Sequence, residues 1–187
     1  ALLNAQDCRY NLYLRGMVAG EVKQEHHYIE SVSRGIDPYK NYDEYIALAD
    51  NPDMKFVVSN TTEAGIVLNL DDKLEMNPPS SYPAKLAKFL YERYTHFNGD
   101  KSKGLVMLPV ELIDNNGDEL KKCVLEYAKL WNLGGDFCDW IENDNVFTNT
   151  LVDRINTGYP KGEDVGLPYE DNMVNTSEYF HLWVIEG

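Results

Sequence analysis

A chain of 187 residues with 43% hydrophobic side chains is long enough to bury one sizeable core, or one core with an appendage. Its 31 acidic against 17 basic residues give a formal net charge of -14, which repels a polyphosphate backbone, and no stretch interleaves Lys and Arg with aromatics; nucleic acid is therefore excluded as a partner. No apolar run approaches bilayer length, which excludes a membrane partner, and the unpatterned cysteines Cys8, Cys123 and Cys138 suit neither a disulfide framework nor a zinc site, so a reducing cytoplasm is the expected location.

Tyr10 to Met17 alternates aromatic or apolar with polar residues, and Val22 to Val32 does so more weakly, with Gly16 and Gly20 at the join. This pattern predicts two antiparallel strands around a turn. Asn41 with Glu44 three positions later has the form of a capping box, and Tyr42, Tyr45, Ile46 and Ala49 share one helical face, so a short helix should end before Asn51-Pro52. The run Phe56-Val57-Val58 then breaks directly into Ser59-Asn60-Thr61-Thr62-Glu63-Ala64-Gly65. A buried parallel strand whose carboxyl end opens onto a ligand crevice has this form.

Beyond the loop Asp71 to Ser80, Ser81-Tyr82-Pro83 starts a helix on which Leu86, Phe89, Leu90, Arg93 and Phe97 recur at three- and four-residue spacing until Asn98-Gly99. Leu105-Val106-Met107-Leu108 is a second buried strand, and it too breaks into polar residues, from Glu111 to Gly117. Asn116 can cap the helix Asp118 to Asn132, with Gly134 as its stop, and a shorter helical segment follows around Phe137, Trp140 and Ile141. Thr148 to Ile155 reads as an irregular strand or a helix end, Lys161 to Asn172 as loop, and Tyr179 to Ile185 as a last strand. Strand and helix alternate, which predicts an α/β fold: a mostly parallel sheet with helices on both faces and some antiparallel strands.

Two strand ends, Ser59 to Glu63 and Glu111 to Asn116, place polar residues just past an apolar run. In an open α/β sheet such ends share one rim, where a ligand could touch both; equally, Thr61, Thr62 and Asn116 could cap helices and Glu63 could complement a helix dipole. Asp153-Arg154 sits among Leu151, Val152 and Ile155, where an unpaired charge would be costly, so a buried salt bridge or a ligand is expected there. His26, His27, His96 and His181 have no second ligand at metal spacing, so no metal site is assigned. No G-x-G and no G-x-S-x-G occurs, which leaves neither a dinucleotide fingerprint nor a nucleophile elbow within these residues.

Four blocks carry a resemblance: Ser59-Asn60-Thr61-Thr62-Glu63-Ala64-Gly65-Ile66, Tyr82-Pro83-Ala84-Lys85-Leu86, Pro109-Val110-Glu111-Leu112-Ile113-Asp114-Asn115-Asn116-Gly117, and Asn149-Thr150-Leu151-Val152-Asp153-Arg154-Ile155-Asn156-Thr157-Gly158-Tyr159-Pro160. In these the chain resembles the mannitol dehydrogenase family of long-chain polyol dehydrogenases, and the E-L-I-D-x-N-G wording points to its uronate branch. The resemblance covers nearly all of the chain and implies that residues 1-187 form an incomplete NAD-binding, Rossmann-like domain. A Gly-rich βα unit would precede Ala1, and a helical domain carrying the catalytic Lys would follow Gly187. The chain accordingly begins without an initiator Met and stops on an apolar run.

The implied reaction is hydride transfer between NAD(H) and a hexuronate-derived keto acid, tagaturonate to altronate, with fructuronate or mannitol as alternatives within the family. A noncatalytic sugar-acid-binding α/β module is the alternative outside it. Residue by residue, the resemblance puts Asn60, Thr61, Thr62 and Glu63 beside the cofactor's nicotinamide ribose, and Glu111, Asn116, Asp153 and Arg154 around the sugar-acid substrate. Leu112 stands where relatives acting on uncharged polyols place an Asn that polarises the carbonyl.

Overall fold

The structure, a computed structural model, describes residues 2–186. In chain order its first elements are α1 (Leu2–Ala5), β1 (Tyr10–Val18), β2 (Glu21–Ile29), α2 (Tyr42–Ile46), β3 (Phe56–Ser59), α3 (Tyr82–His96) and β4 (Val106–Pro109). There follow α4 (Asn116–Leu130), α5 (Gly135–Asp144), β5 (Val146–Phe147), β6 (Thr150–Asp153), β7 (Asn156–Gly158), β8 (Asn175–Ser177) and β9 (Leu182–Ile185). They divide into two compact units, Ala1–Ile36 with Asp153–Leu182 and Asp37–Val152 with Trp183–Gly187.

The first unit is built on the mixed sheet β2-β1-β8-β7. The expected hairpin is present, paired from Tyr10↔Ile29 to Val18↔Glu21. Its two-residue turn, Ala19-Gly20, has positive φ at both positions, the geometry whose twist matches the flanking strands. β8 joins β1 in parallel although Asn175-Thr176-Ser177 shows no apolar signal. Its anchor is polar: Asp171 Oδ2 accepts from the Asn11 backbone N–H at 2.8 Å and from Asn11 Nδ2 at 2.6 Å. Asp171 Oδ1 accepts from Gln6 Nε2 at 2.7 Å and the Met173 N–H at 2.8 Å. These bonds outweigh burial and hold the Asp171 carboxyl below its ordinary range.

The second unit carries the parallel sheet β3-β4-β5, with Val57, Met107 and Phe147 in register. Those three side chains meet α3, α4 and α5 in one core with Leu86, Leu90, Leu120, Val124 and Phe137. Alternation along the strands turns Phe56, Val58 and Val146 the other way, and they are exposed. The run Phe56-Val57-Val58 is therefore parallel, as read, but buried on one face: β3 is an edge strand, and a short continuous apolar run does not reveal which of its faces is covered. Helices α3 and α4 fall within two residues of their expected bounds, α4 starting at Asn116 rather than Asp118, whereas α2 ends at Ile46 and a 3-10 turn, Ala47–Asp50, completes the expected stretch. Asn41 makes no side-chain capping bond to α2, so the capping-box reading fails there although the helix forms.

Buried polar side chains secure the irregular connections of this unit. Arg93, fully buried on α3, spends its guanidinium on four backbone carbonyls: Lys103 (2.7 Å), Ala49 (2.9 Å), Asn51 (2.8 Å) and Met54 (3.3 Å). Asp72 accepts from the Ser80 N–H and hydroxyl at 2.6 and 2.7 Å, from the Ser81 N–H at 3.1 Å and from the Tyr127 hydroxyl at 3.3 Å. Burial alone would raise its pKa, but the hydrogen bonds from Ser81 and Ser80 prevail and lower it to about 2. Lys88 Nζ closes the same loop by donating to Leu74 O, Met76 O and Asn77 Oδ1 at 2.7, 2.9 and 2.6 Å.

Two outcomes follow for stability. Arg93→Met leaves four carbonyls without their donor and should cost about 3 kcal/mol or more in urea unfolding, with Arg93→Lys recovering little because an ammonium cannot reproduce the fork. Asp72 has a folded pKa below its unfolded value of 3.8, so its contribution is present above that value and is lost as pH falls toward about 2. Wild type should exceed Asp72→Asn by roughly 2 kcal/mol at neutral pH, and the difference should vanish across that acidic window.

Candidate functional site

The carboxyl ends of β3 and β4 lie side by side, with Ser59 opposite Pro109 and the Val110 N–H donating to Ser59 O at 2.8 Å. No helix follows β3 directly; residues 60–81 are irregular before α3 begins, which removes the helix-capping reading for Thr61, Thr62 and Glu63. Asn60, Thr61, Thr62 and Glu63 are all exposed, so this strand end displays the Asn60 amide, the Thr62 hydroxyl and the Glu63 carboxylate to solvent. The turn itself is closed by the Gly65 N–H on Thr62 O at 2.8 Å.

Glu111 is 3% exposed and its carboxylate faces β3. Oε2 accepts from the Ser59 hydroxyl at 2.9 Å, and Oε1 accepts from the Thr61 N–H at 3.0 Å and the Thr61 hydroxyl at 2.8 Å. Tyr82, the first residue of α3, borders the same cluster: burial pushes its phenol up to about 12, Ser59 opposes this, and the Glu111 charge adds to it. Gly65 makes the packing possible, since a Cβ there would stand 1.8 Å from Thr61 Oγ1. Ser59 belonged to the polar strand end read from the sequence, but Gly65 and Tyr82 were given no role there; the one available signal for them was their position within the two motif blocks that begin at Ser59 and Tyr82.

Asn116 is fully buried and does not cap α4. Its Nδ2 donates to Pro109 O, Glu111 O and Thr150 O at 3.1, 3.0 and 3.0 Å, while Oδ1 accepts from the Thr150 N–H at 2.9 Å. The Thr150 hydroxyl also donates to Pro109 O. Asn115, in the left-handed region that Asn tolerates, turns the chain into the helix. The capping oxygen comes from elsewhere in the sequence: Asn149 Oδ1 accepts from the Gly117 and Asp118 N–H groups at 3.0 and 3.1 Å. Asn116 thus builds the wall behind the rim rather than its surface.

Asp153 and Arg154 belong to the first unit. Contrary to the buried pair expected from their apolar neighbours, Asp153 is exposed, as are Leu151 and Ile155 at 56% and 62%. Among the described residues no ion pair joins Asp153 to Arg154. Arg154 is half-buried, donates from Nη2 to Glu178 O at 3.3 Å, and has a buried Nε–H without a partner among the described residues. Apolar flanks predicted burial, but this segment alternates along a surface strand, so its apolar residues surround no core. Among the described residues no three His, Cys, Asp or Glu side chains converge in a way that could hold a metal ion, and no helix is long and apolar enough to cross a membrane.

The approach of α4 to the chain after β5 tolerates no side chain at Gly117, where a Cβ would meet Thr148 O at 2.3 Å. Because that obstacle is backbone, Gly117→Ala should lower stability by about 2 kcal/mol in thermal or urea unfolding.

Residues 2–187 match the family described as the mannitol dehydrogenase Rossmann domain. The altronate oxidoreductases of Phocaeicola vulgatus and Bacillus subtilis are 49% and 48% identical to this chain over 190 and 189 residues, covering 100% and 99% of it but 40% and 39% of their own length. Among solved structures, D-sorbitol dehydrogenase in substrate-free form aligns with TM-score 0.79 at 22% identity, over 98% of this chain and 40% of that one. The Pseudomonas fluorescens mannitol 2-dehydrogenase ternary complex with NAD and D-mannitol aligns with TM-score 0.74 at 22% identity, over 98% of this chain and 39% of that one. The chain therefore spans about two fifths of the length of these curated relatives. The parallel β3-β4-β5 sheet, the polar rim at its carboxyl edge and the match over nearly every residue agree, and the chain belongs to the mannitol dehydrogenase family, within its Rossmann domain.

Proposed function

We propose that this chain forms part of an NAD-linked oxidoreductase that passes a hydride between NAD(H) and a hexuronate-derived keto acid, reducing tagaturonate to altronate. The observation that carries the reading is the exposed run Asn60-Thr61-Thr62-Glu63 at the carboxyl end of a parallel strand, the edge at which open α/β sheets bind their ligands. Identity of 48–49% to altronate oxidoreductases supports this branch, against 22% to the mannitol and sorbitol dehydrogenase structures. The free thiols of Cys8, Cys123 and Cys138 suit a cytoplasmic setting.

The displayed groups fit a nicotinamide ribose. Asn60, Thr62 and Glu63 offer an amide, a hydroxyl and a carboxylate, which can pair with sugar hydroxyls, whereas none is a cation that would hold a pyrophosphate. When bound, NADH supplies the hydride. This chain's part is to bind and orient: Asn60 to Glu63 form the cofactor side, with Glu111 and Asn116 holding that wall from behind. Asp153 and Arg154 are proposed to meet the substrate, Asp153 through its exposed carboxylate and Arg154 through the exposed part of its half-buried side chain.

The full-length protein should oxidise NADH with tagaturonate in preference to fructuronate and fructose, followed by NADH absorbance, and the isolated 187 residues should be inactive. Absence of reduction by the full-length protein with all three keto sugars would overturn the function. Robust tagaturonate reduction by the isolated chain would overturn the site assignment.

A further inference from the structure

We infer that Glu111 is a positioning residue: its carboxylate latches the carboxyl end of β3 to that of β4, and so sets the geometry in which Asn60, Thr62 and Glu63 meet the cofactor. This deepens the proposed oxidoreductase reading and rests on it for the ligand, though not for the latch. The family resemblance placed Glu111 among residues around the substrate, and the structure gives it different work. Its two oxygens are turned inward and take three donors from β3 and the turn beyond, leaving the side chain 3% exposed.

Three features make this a latch rather than an incidental contact. First, all three partners can serve as donors, two hydroxyls and one backbone N–H, so an ionised acceptor on both oxygens satisfies them, whereas a Gln amide would turn an N–H₂ toward at least one. Second, the bonds go to residues flanking Asn60 and directly preceding Thr62; the Thr61 N–H and hydroxyl are occupied, and what is left to a ligand are the side chains of Asn60, Thr62 and Glu63. Third, Gly65 leaves the Thr61 side chain the room it needs to face Glu111, since a Cβ at that position would stand 1.8 Å from Thr61 Oγ1. Its backbone is itself fixed on the β4 side, since its carbonyl accepts from Asn116 Nδ2 at 3.0 Å and from the Ile113 N–H at 2.8 Å.

The test uses Glu111→Gln and Glu111→Asp in the full-length protein, read by steady-state kinetics and by amide hydrogen exchange. Glu111→Gln should raise the KM for NADH about tenfold while leaving the KM for tagaturonate unchanged, since charge-assisted hydrogen bonds of this kind are lost from the cofactor side alone. Glu111→Asp, which keeps the charge on a shorter arm, should recover part of that loss. Amides of residues 60–65 should exchange about tenfold faster in Glu111→Gln, with α3 and α4 unchanged, as expected for local rather than global loosening.

If Glu111→Gln does not fold, Thr61→Val removes one donor of similar shape and should move both readouts in the same direction. Unchanged exchange at residues 60–65, or a rise in the KM for tagaturonate in place of that for NADH, would overturn the inference. Should wild type fail to bind NADH at all, the functional reading falls by itself, and the exchange measurement still decides whether the latch exists.

Discussion

A backbone carbonyl or N–H that is turned away from water must find a partner, and in the second unit of this protein the irregular connections, though largely exposed, turn several such groups inward. Side chains meet that demand. Arg93 reaches from α3 to four carbonyls, Lys88 to two carbonyls and an amide oxygen, Asn116 to three carbonyls and an N–H, and Asp72 gathers the N–H groups of Ser80 and Ser81. The helices thus act as brackets for loops as well as walls of a core. It follows that a polar or charged residue on an apolar stripe, such as Arg93, belongs to the packing and is not a break in it.

The same device shapes the rim. Glu111 and Asn116 are buried polar groups whose partners are other parts of the strand ends, so their chemistry is spent on holding the ends in register. The residues one step farther out, Asn60 to Glu63 after β3 and Asp114 and Asn115 after β4, present polar groups to solvent. A site of this kind separates presentation from support: exposed groups can meet a ligand because buried ones prevent the turn from relaxing. In the first unit Asp171 does comparable work, tying β1 to the segment before β8 through two short hydrogen bonds from Asn11 while also accepting from Gln6 and the Met173 N–H.

Much of the fold was legible from local pattern. The hairpin of β1 and β2, the helices α3, α4 and α5, and the parallel strands β3 and β4 all rest on periodicity, caps or turn residues that operate within a few positions. The rim was legible for the same reason, as an abrupt change from apolar to polar at two strand ends. What escaped was whatever depended on distant partners. β8 has no apolar residue and is held by β1; the cap of α4 comes from Asn149; and the apolar neighbours of Asp153 and Arg154 suggested a core that is not there.

By itself, then, the sequence determined the α/β class, the order of the main helices and strands, and the family, because these follow from short-range periodicity and from motif wording spread over nearly the whole chain. Tertiary structure alone decided the division of labour at the site. Glu111 and Asn60 are equally polar on the page, and a polar residue past an apolar run can face either way. Which one turns inward depends on the donors waiting there, and Ser59 and Thr61 lie about fifty positions from Glu111, within hydrogen-bonding distance only because β3 and β4 pair in parallel.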